Sequence, residues 1–181
     1  MTNEPGENEL VRECLGGDEH AFEVLLRRFQ GPVFNAVLRM VRDRDEAADL
    51  TQNAFLKAYE QLSTFDPRHK FFSWLYRIAV NEALNHIKRR RRLEPLDGDW
   101  ASANRNPEAE LVGSDLSVHV QDALMTLSTE YRTVLVLRHF EGCSYDEIAS
   151  IVGVQEKTVK SRLFSARTQL KERLESRGIL R

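Results

Sequence analysis

Apolar residues in this chain recur three and four positions apart, and no convincing run alternates them with polar ones as a half-buried strand requires. That pattern commits the chain to helices packed on helices. Leu10, Val11, Cys14 and Leu15 open a first helix that Gly16-Gly17 ends. Asp18 is placed to cap the next, whose stripe is Phe22, Leu25, Leu26 and Phe29. Gly31-Pro32 is expected to break that helix and start another, carried by Val33, Val37 and Met40. After the polar turn Asp43 to Glu46, a longer helix is expected over about 45–62. Residues 64–70 form a loop with Asp66-Pro67 as its turn signal, and a strong helix follows over about 71–92.

Residues 93–117 interrupt the helical period with Pro, Gly, Asn and Asp. They are the candidate linker, able to reach roughly 80 Å when extended at about 3.3 Å per residue. The expected organisation is therefore all-α: a first helical domain over 1–92, the linker, and a second over 118–181. Further helical stripes run through Val120, Leu124 and Leu127, then Val134, Leu135 and Leu137.

Charge follows the same division. The net charge of −2 conceals four blocks. Residues 1–67 carry −6 and residues 93–130 carry −7. Residues 68–92 have eight basic side chains to one acidic, and 131–181 have ten to six. Two basic blocks separated by acidic ones suggest two surfaces that face polyanions. No apolar run approaches the roughly 20 residues of a spanning helix, so no membrane insertion is expected. Met1 to Glu9 is polar and acidic, unlike a secretory signal. Two distant cysteines, Cys14 and Cys143, make no disulfide framework, and a cytoplasmic chain is expected.

The sharpest local motif is Ser144-Tyr-Asp-Glu147, a capping box. Its helix runs through Ile148, Ala149, Ile151 and Val152 and stops at Gly153. A second helix follows with Val159, Leu163, Ala166 and Leu170 inward, which makes a helix-turn-helix. Its outer face carries Lys157, Lys160, Ser161, Phe164, Ser165 and Thr168, flanked by Arg162 and Arg167. Such groups bind phosphates and base edges in a major groove. On the helix over 71–92, Arg77, Asn81, Asn85 and Lys88 follow at i, i+4, i+8 and i+11 as one polar stripe. Phe65, Phe71, Phe72, Trp74 and Tyr76 lie before or at its start, and such aromatics among basic residues can stack on unpaired bases. Trp74 and one of Phe71 and Phe72 are assigned to the core, whereas Phe65, in the loop, is the better candidate for a base contact. The preceding helix exposes Asp49, Gln52, Asn53, Leu56 and Lys57, a mixed surface suited to a protein partner.

Two other readings fit parts of the sequence. A stand-alone helix-turn-helix repressor accounts for 131–181 but leaves the aromatic, basic helix over 71–92 without a role. His139 and Cys143, four apart, could start a metal site, but two ligands do not close one. No nucleophile–base pairing or phosphate-cradling glycine loop is visible, so neither catalysis nor a cofactor is expected.

The run Asp49-Leu-Thr-Gln-Asn-Ala-Phe-Leu-Lys-Ala-Tyr59, with Phe71-Phe-Ser-Trp-Leu-Tyr-Arg-Ile-Ala-Val-Asn81, resembles region 2 of the sigma-70 family. Ser144 to Leu170 resembles region 4. The chain is too short for the first and third regions of housekeeping sigma factors. It is therefore similar to the extracytoplasmic-function (ECF) group, which keeps only the two DNA-reading domains. This resemblance implies that Asp49, Gln52, Phe55 and Leu56 grip the clamp helices of the RNA polymerase beta-prime subunit. It also implies that the Phe65 loop holds a flipped minus-ten base, with Arg77, Asn81, Asn85 and Lys88 alongside. Lys157, Lys160, Ser161, Arg162, Phe164, Ser165 and Arg167 would read the minus-thirty-five element. The further partners it implies are the polymerase beta flap, promoter DNA and an anti-sigma factor, in the cytoplasm and on the nucleoid.

Overall fold

A computed structural model describes residues 5–93 and 115–179, and among them there is no strand. The order is α1 (Glu7–Leu15), α2 (Glu19–Val41), α3 (Arg44–Glu60), a 3-10 turn (Leu62–Thr64), α4 (Phe71–Leu93), α5 (Asp115–Met125), α6 (Thr129–His139), α7 (Tyr145–Val152) and α8 (Glu156–Ser176). The candidate linker over 93–117 lies almost wholly outside the described residues.

Side chains set the helix starts. Asp18 accepts from the His20 amide, Asp43 from Glu46 and Ser128 from Tyr131, each satisfying a donor the helix leaves open. The Ser144–Glu147 capping box closes in both directions. Gly153 ends α7 at φ +69°, a conformation that costs a residue with a Cβ about 1 kcal/mol or more.

One expectation fails: α2 does not break at Gly31-Pro32 but runs unbroken through both. Pro32 lacks one N–H and disfavours a helix interior by about 3 kcal/mol. The burial on either side wins. Leu25, Phe29, Val33, Ala36, Val37 and Met40 form one continuous buried face across the site. The two stripes read separately from the sequence are in phase, and a continuous helix is what keeps them so.

In the first helical module α2, α3 and α4 pack together. Ala47, Ala54 and Ala58 on α3 and Ala79 and Ala83 on α4 are buried, and their small side chains let the helix axes approach closely. Leu25, Val33, Phe71 and Leu75 fill the space between. In the second, α6, α7 and α8 enclose Val134, Leu137, Ile148, Ile151, Val159 and Leu163, and α5 packs on α8.

The two modules touch. Helix α4 lies against α7, and α2 against α5 and α6. Polar contacts cross the seam from Tyr76, Arg39, Arg42 and Lys70 to Glu141, Phe140, Asp122 and Glu147, and the buried apolar residues of the two modules form one continuous cluster.

Candidate nucleic-acid and partner interfaces

Helix α8 presents the outer face its sequence predicts. Val159, Leu163 and Ala166 point into the core. That rotation leaves Lys157, Lys160, Ser161, Phe164 and Arg167 exposed, and Arg162 and Ser165 partly so. Phe164 is 75% exposed, an unusual position for a ring that serves only its own fold. Lys160 is braced by Glu156 at 2.6 Å and lies 5.8 Å from the Tyr145 ring, which presets its direction. The hydrogen bond that Lys160 donates to Glu156 raises the Lys160 pKa, so its positive charge is secure. Arg167 donates to His139 Nε2 at 3.2 Å. Burial, with Arg167 and Arg138 nearby, lowers the His139 pKa and keeps the ring neutral to accept that bond. Its sequence neighbour Cys143 is buried, and desolvation pushes the thiol up to about 12. His139 is thus engaged by Arg167, and the described residues hold no group of three or more metal-ligating side chains.

On α4, Arg77, Asn81, Asn85 and Lys88 are all exposed along one face, because Leu75, Ala79 and Ala83 turn the opposite face inward. The loop before it is built tightly. The Asp66 carboxylate accepts from the Arg68 amide and from its guanidinium, and these bonds hold its pKa down at about 2. Asn8 Nδ2 donates to the Pro67 carbonyl at 2.9 Å, and Glu7 accepts from the Phe72 amide at 3.2 Å. Helix α1 therefore holds both the loop and the start of α4.

Phe65 departs from expectation. Its ring is 6% exposed and packs edge-on against Phe71 at 5.7 Å and against Trp74 at 5.5 Å. The loop turns this ring inward because Phe71 and Trp74 offer an aromatic surface that water does not. Of the two phenylalanines weighed for the core, Phe71 is fully buried and Phe72 half-buried, as is Trp74.

Helices α2 and α3 form an apolar groove of about 650 Å³ lined by Phe22, Leu26, Phe34, Phe55, Leu56 and Tyr59. Gln52 and Arg44 supply polar groups at its wall. Leu56 and Tyr59 are 55% and 49% exposed, large apolar surface for a monomer to leave open. Phe55, expected as a contact residue, is buried and belongs to the floor. Asp49 is exposed on α3 outside the lining.

Sequence reasoning missed the seam between the modules. Tyr76 is fully buried and its hydroxyl donates to Glu141 at 2.6 Å. Lys70 donates to Glu147 at 2.6 Å, Arg42 pairs with Asp122, and the Arg39 guanidinium lies 4.3 Å from the Phe140 ring centre. Burial raises the Glu141 pKa, opposed by the Tyr76 bond. Arg132 is the other missed residue. Its guanidinium reaches four carbonyls: Leu124 at 3.1 Å, Met125 at 3.0 Å, Leu127 at 3.3 Å and, across the seam, Met40 at 2.5 Å. Burial, with Arg91 and Arg90 adding repulsion, lowers its pKa to about 10, which still leaves it charged. A cation at an inward position of α6 was the available signal.

Comparison with known proteins matches both modules. Residues 25–93 match the family model Sigma-70 region 2, and residues 118–170 match Sigma-70, region 4. The chain is 34% identical to the RNA polymerase sigma-H factor of Pseudomonas aeruginosa, with 97% of each covered. It is 33% identical to the ECF RNA polymerase sigma-E factor of Haemophilus influenzae, covering 97% of this chain and 98% of the relative. Among solved structures it is similar to the sigma factor RpoE in complex with the anti-sigma factor NepR from Bartonella quintana. There the TM-score is 0.69 at 26% identity, over 85% of this chain and 96% of that one.

Proposed function

The chain belongs to the extracytoplasmic-function group of the sigma-70 family, and from that premise we propose that it binds core RNA polymerase, reads the minus-thirty-five and minus-ten promoter elements, and favours DNA opening. The observation that carries this reading is the pairing of two exposed polar faces, on α4 and α8, in one chain with an open apolar groove. Two DNA faces suit two elements, and the groove suits a protein.

The division of labour follows from chemistry. On α8, Lys157, Lys160, Arg162 and Arg167 release counterions from duplex phosphates, while Ser161, Phe164 and Ser165 meet base edges. On α4, Arg77, Asn81, Asn85 and Lys88 hold the minus-ten strand. Phe65, packed on Phe71 and Trp74, supports the minus-ten loop from beneath. Holding unstacked bases lowers the free energy of melted DNA relative to duplex, so opening is favoured without a chemical step. Gln52 and Leu56 at the α2–α3 groove, with Phe55 as floor and Asp49 beside it, take the beta-prime clamp helices, and the second module meets the beta flap. An anti-sigma factor, such as the one bound to the similar Bartonella factor, belongs to the same proposal. So do a cytoplasmic site of action on the nucleoid and the division into 1–92, 93–117 and 118–181. No described helix is long and apolar enough to cross a membrane.

The test is transcription from a library of genomic fragments by purified core enzyme, with and without the chain. Start sites that depend on the chain and share two upstream elements support the reading. Tight sequence-specific binding to duplex by the chain alone, without any effect on initiation, refutes it in favour of a repressor.

A further inference from the structure

We propose that Glu7 and Asn8 of α1 are positioning residues for the minus-ten contact: they fix the loop before α4 and so set how selectively and how readily it holds opened bases. This rests on reading that loop and α4 as the minus-ten face.

The loop needs a support from outside. Of residues 64–70 only Phe65 is buried, and Pro67, Arg68, His69 and Lys70 face solvent. Its tip is folded on itself. Asp66 accepts from the Arg68 amide through its carboxylate and from the His69 amide through its carbonyl, at 3.0 Å each. A tip closed in this way moves as one unit, hinged on the Phe65 ring. Asn8 Nδ2 takes hold of that unit from another element, donating to the Pro67 carbonyl at 2.9 Å.

Helix α4 has the same need. Helices α2, α3, α6 and α7 begin on caps of their own, Asp18, Asp43, Ser128 and Ser144. Lys70, which precedes α4, has no acceptor in its side chain. The Phe72 amide donates instead to Glu7 at 3.2 Å, so α4 is capped from α1. Loop tip and helix start thus hang on consecutive residues of one short helix. That helix is itself seated. Leu10 and Val11 are buried, and Arg28 of α2 donates to the Pro5 carbonyl at 3.3 Å.

Asn8 is a poor choice for stability alone. Its Oδ1 is buried and accepts no hydrogen bond among the described residues. A half-satisfied buried amide destabilises a fold relative to an apolar side chain of similar size. Local rules are broken in this way where a group serves function. Placement is the function in question, since a shift of about 1 Å in a positioned contact can cost on the order of 100-fold in rate.

The test uses the full chain with core enzyme and a promoter from the start-site map. N8L is expected to keep or raise the melting temperature and to leave core-enzyme affinity within about twofold. It should nevertheless slow open-complex formation about tenfold. The penalty for a substituted minus-ten base should shrink at least threefold, while penalties at minus-thirty-five stay the same. N8A should show the same split. E7A should also slow opening, and E7Q, which keeps an acceptor for the Phe72 amide, should recover most of that loss. E9A removes an exposed carboxylate from α1 and should match the unsubstituted chain. Independently of transcription, trypsin cleavage after Arg68, followed by mass spectrometry, should accelerate at least tenfold in N8L. Unchanged cleavage in N8L overturns the proposal, and so does faster cleavage with unaltered discrimination at minus-ten. A parallel fall in melting temperature and core affinity overturns it too, because Asn8 is then structural. An unsubstituted chain that does not initiate sinks the functional reading and the proposal with it. Cleavage still decides whether α1 holds the loop, so the two failures are distinguishable.

Discussion

Arg132 shows how a buried charge is tolerated without a carboxylate. Four carbonyls at helix ends point their partial negative charge at one guanidinium, and the planar fork meets them from several directions. Replacing it with methionine keeps much of the volume but leaves those carbonyls dry. R132M should therefore lose about 2–4 kcal/mol of stability, measured by urea unfolding, which is more than an exposed Arg such as Arg167 would cost. A loss under 0.5 kcal/mol would mean that water replaces the guanidinium. Cys143 offers a second check. Its thiol is buried and its pKa stands near 12, so in the folded chain at pH 8 it should resist iodoacetamide and react only in denaturant, read by mass spectrometry. The Ser144–Glu147 box was legible in the sequence because both of its partners lie within one turn. Arg132 was not, since all four of its acceptors are backbone carbonyls with no signature of their own and one of them lies on a distant helix.

At the scale of the element, α4 has two faces with different duties. Its alanine face seats it on α3, while Arg77, Asn81, Asn85 and Lys88 face outward. Asn81→Ala touches no core residue, so it should cut transcription from a cognate promoter at least tenfold while leaving affinity for core enzyme within about twofold. Equal loss of both would make Asn81 structural. The α2–α3 groove predicts the reverse. Leu56→Glu places a charge on exposed apolar surface, and it should weaken core-enzyme binding at least tenfold with little change in melting temperature. Helix faces of this kind were readable because 3.6-residue periodicity fixes which side chains share a side. Where a face is interrupted, periodicity misled. Gly31-Pro32 looked like a stop, but burial from Leu25 to Met40 overrode it. The loop ring of Phe65 misled in the same way. Its sequence position said loop, whereas its neighbours in space, Phe71 and Trp74, made it core.

Across the whole molecule the two modules meet through pairs separated by 65 to 101 positions, which no local pattern encodes. The division into two helical bodies was legible from charge and composition, but their contact was not. Acid should weaken that contact. Glu147 has its pKa lowered, first by the Lys70 hydrogen bond and then by the Ser144 amide. Its contribution is complete above the ordinary value of 4.5 and is lost as pH falls through the lower folded value. Lys70, Ser144, Glu7 and Asp146 are the neighbours that share the effect. The melting temperature should fall between pH 5 and pH 3, and E147Q should flatten that part of the profile. Unchanged acid sensitivity in E147Q would assign it to other carboxylates. The open groove between α2 and α3 has a consequence for the life of the chain in a cell. With Leu56 and Tyr59 bared to solvent, an unpartnered copy carries a sticky stripe of the kind that chaperones and proteases survey. On the proposed reading of the groove as a partner site, copies made in excess of that partner are expected to be cleared faster, so that output follows stoichiometry rather than synthesis alone.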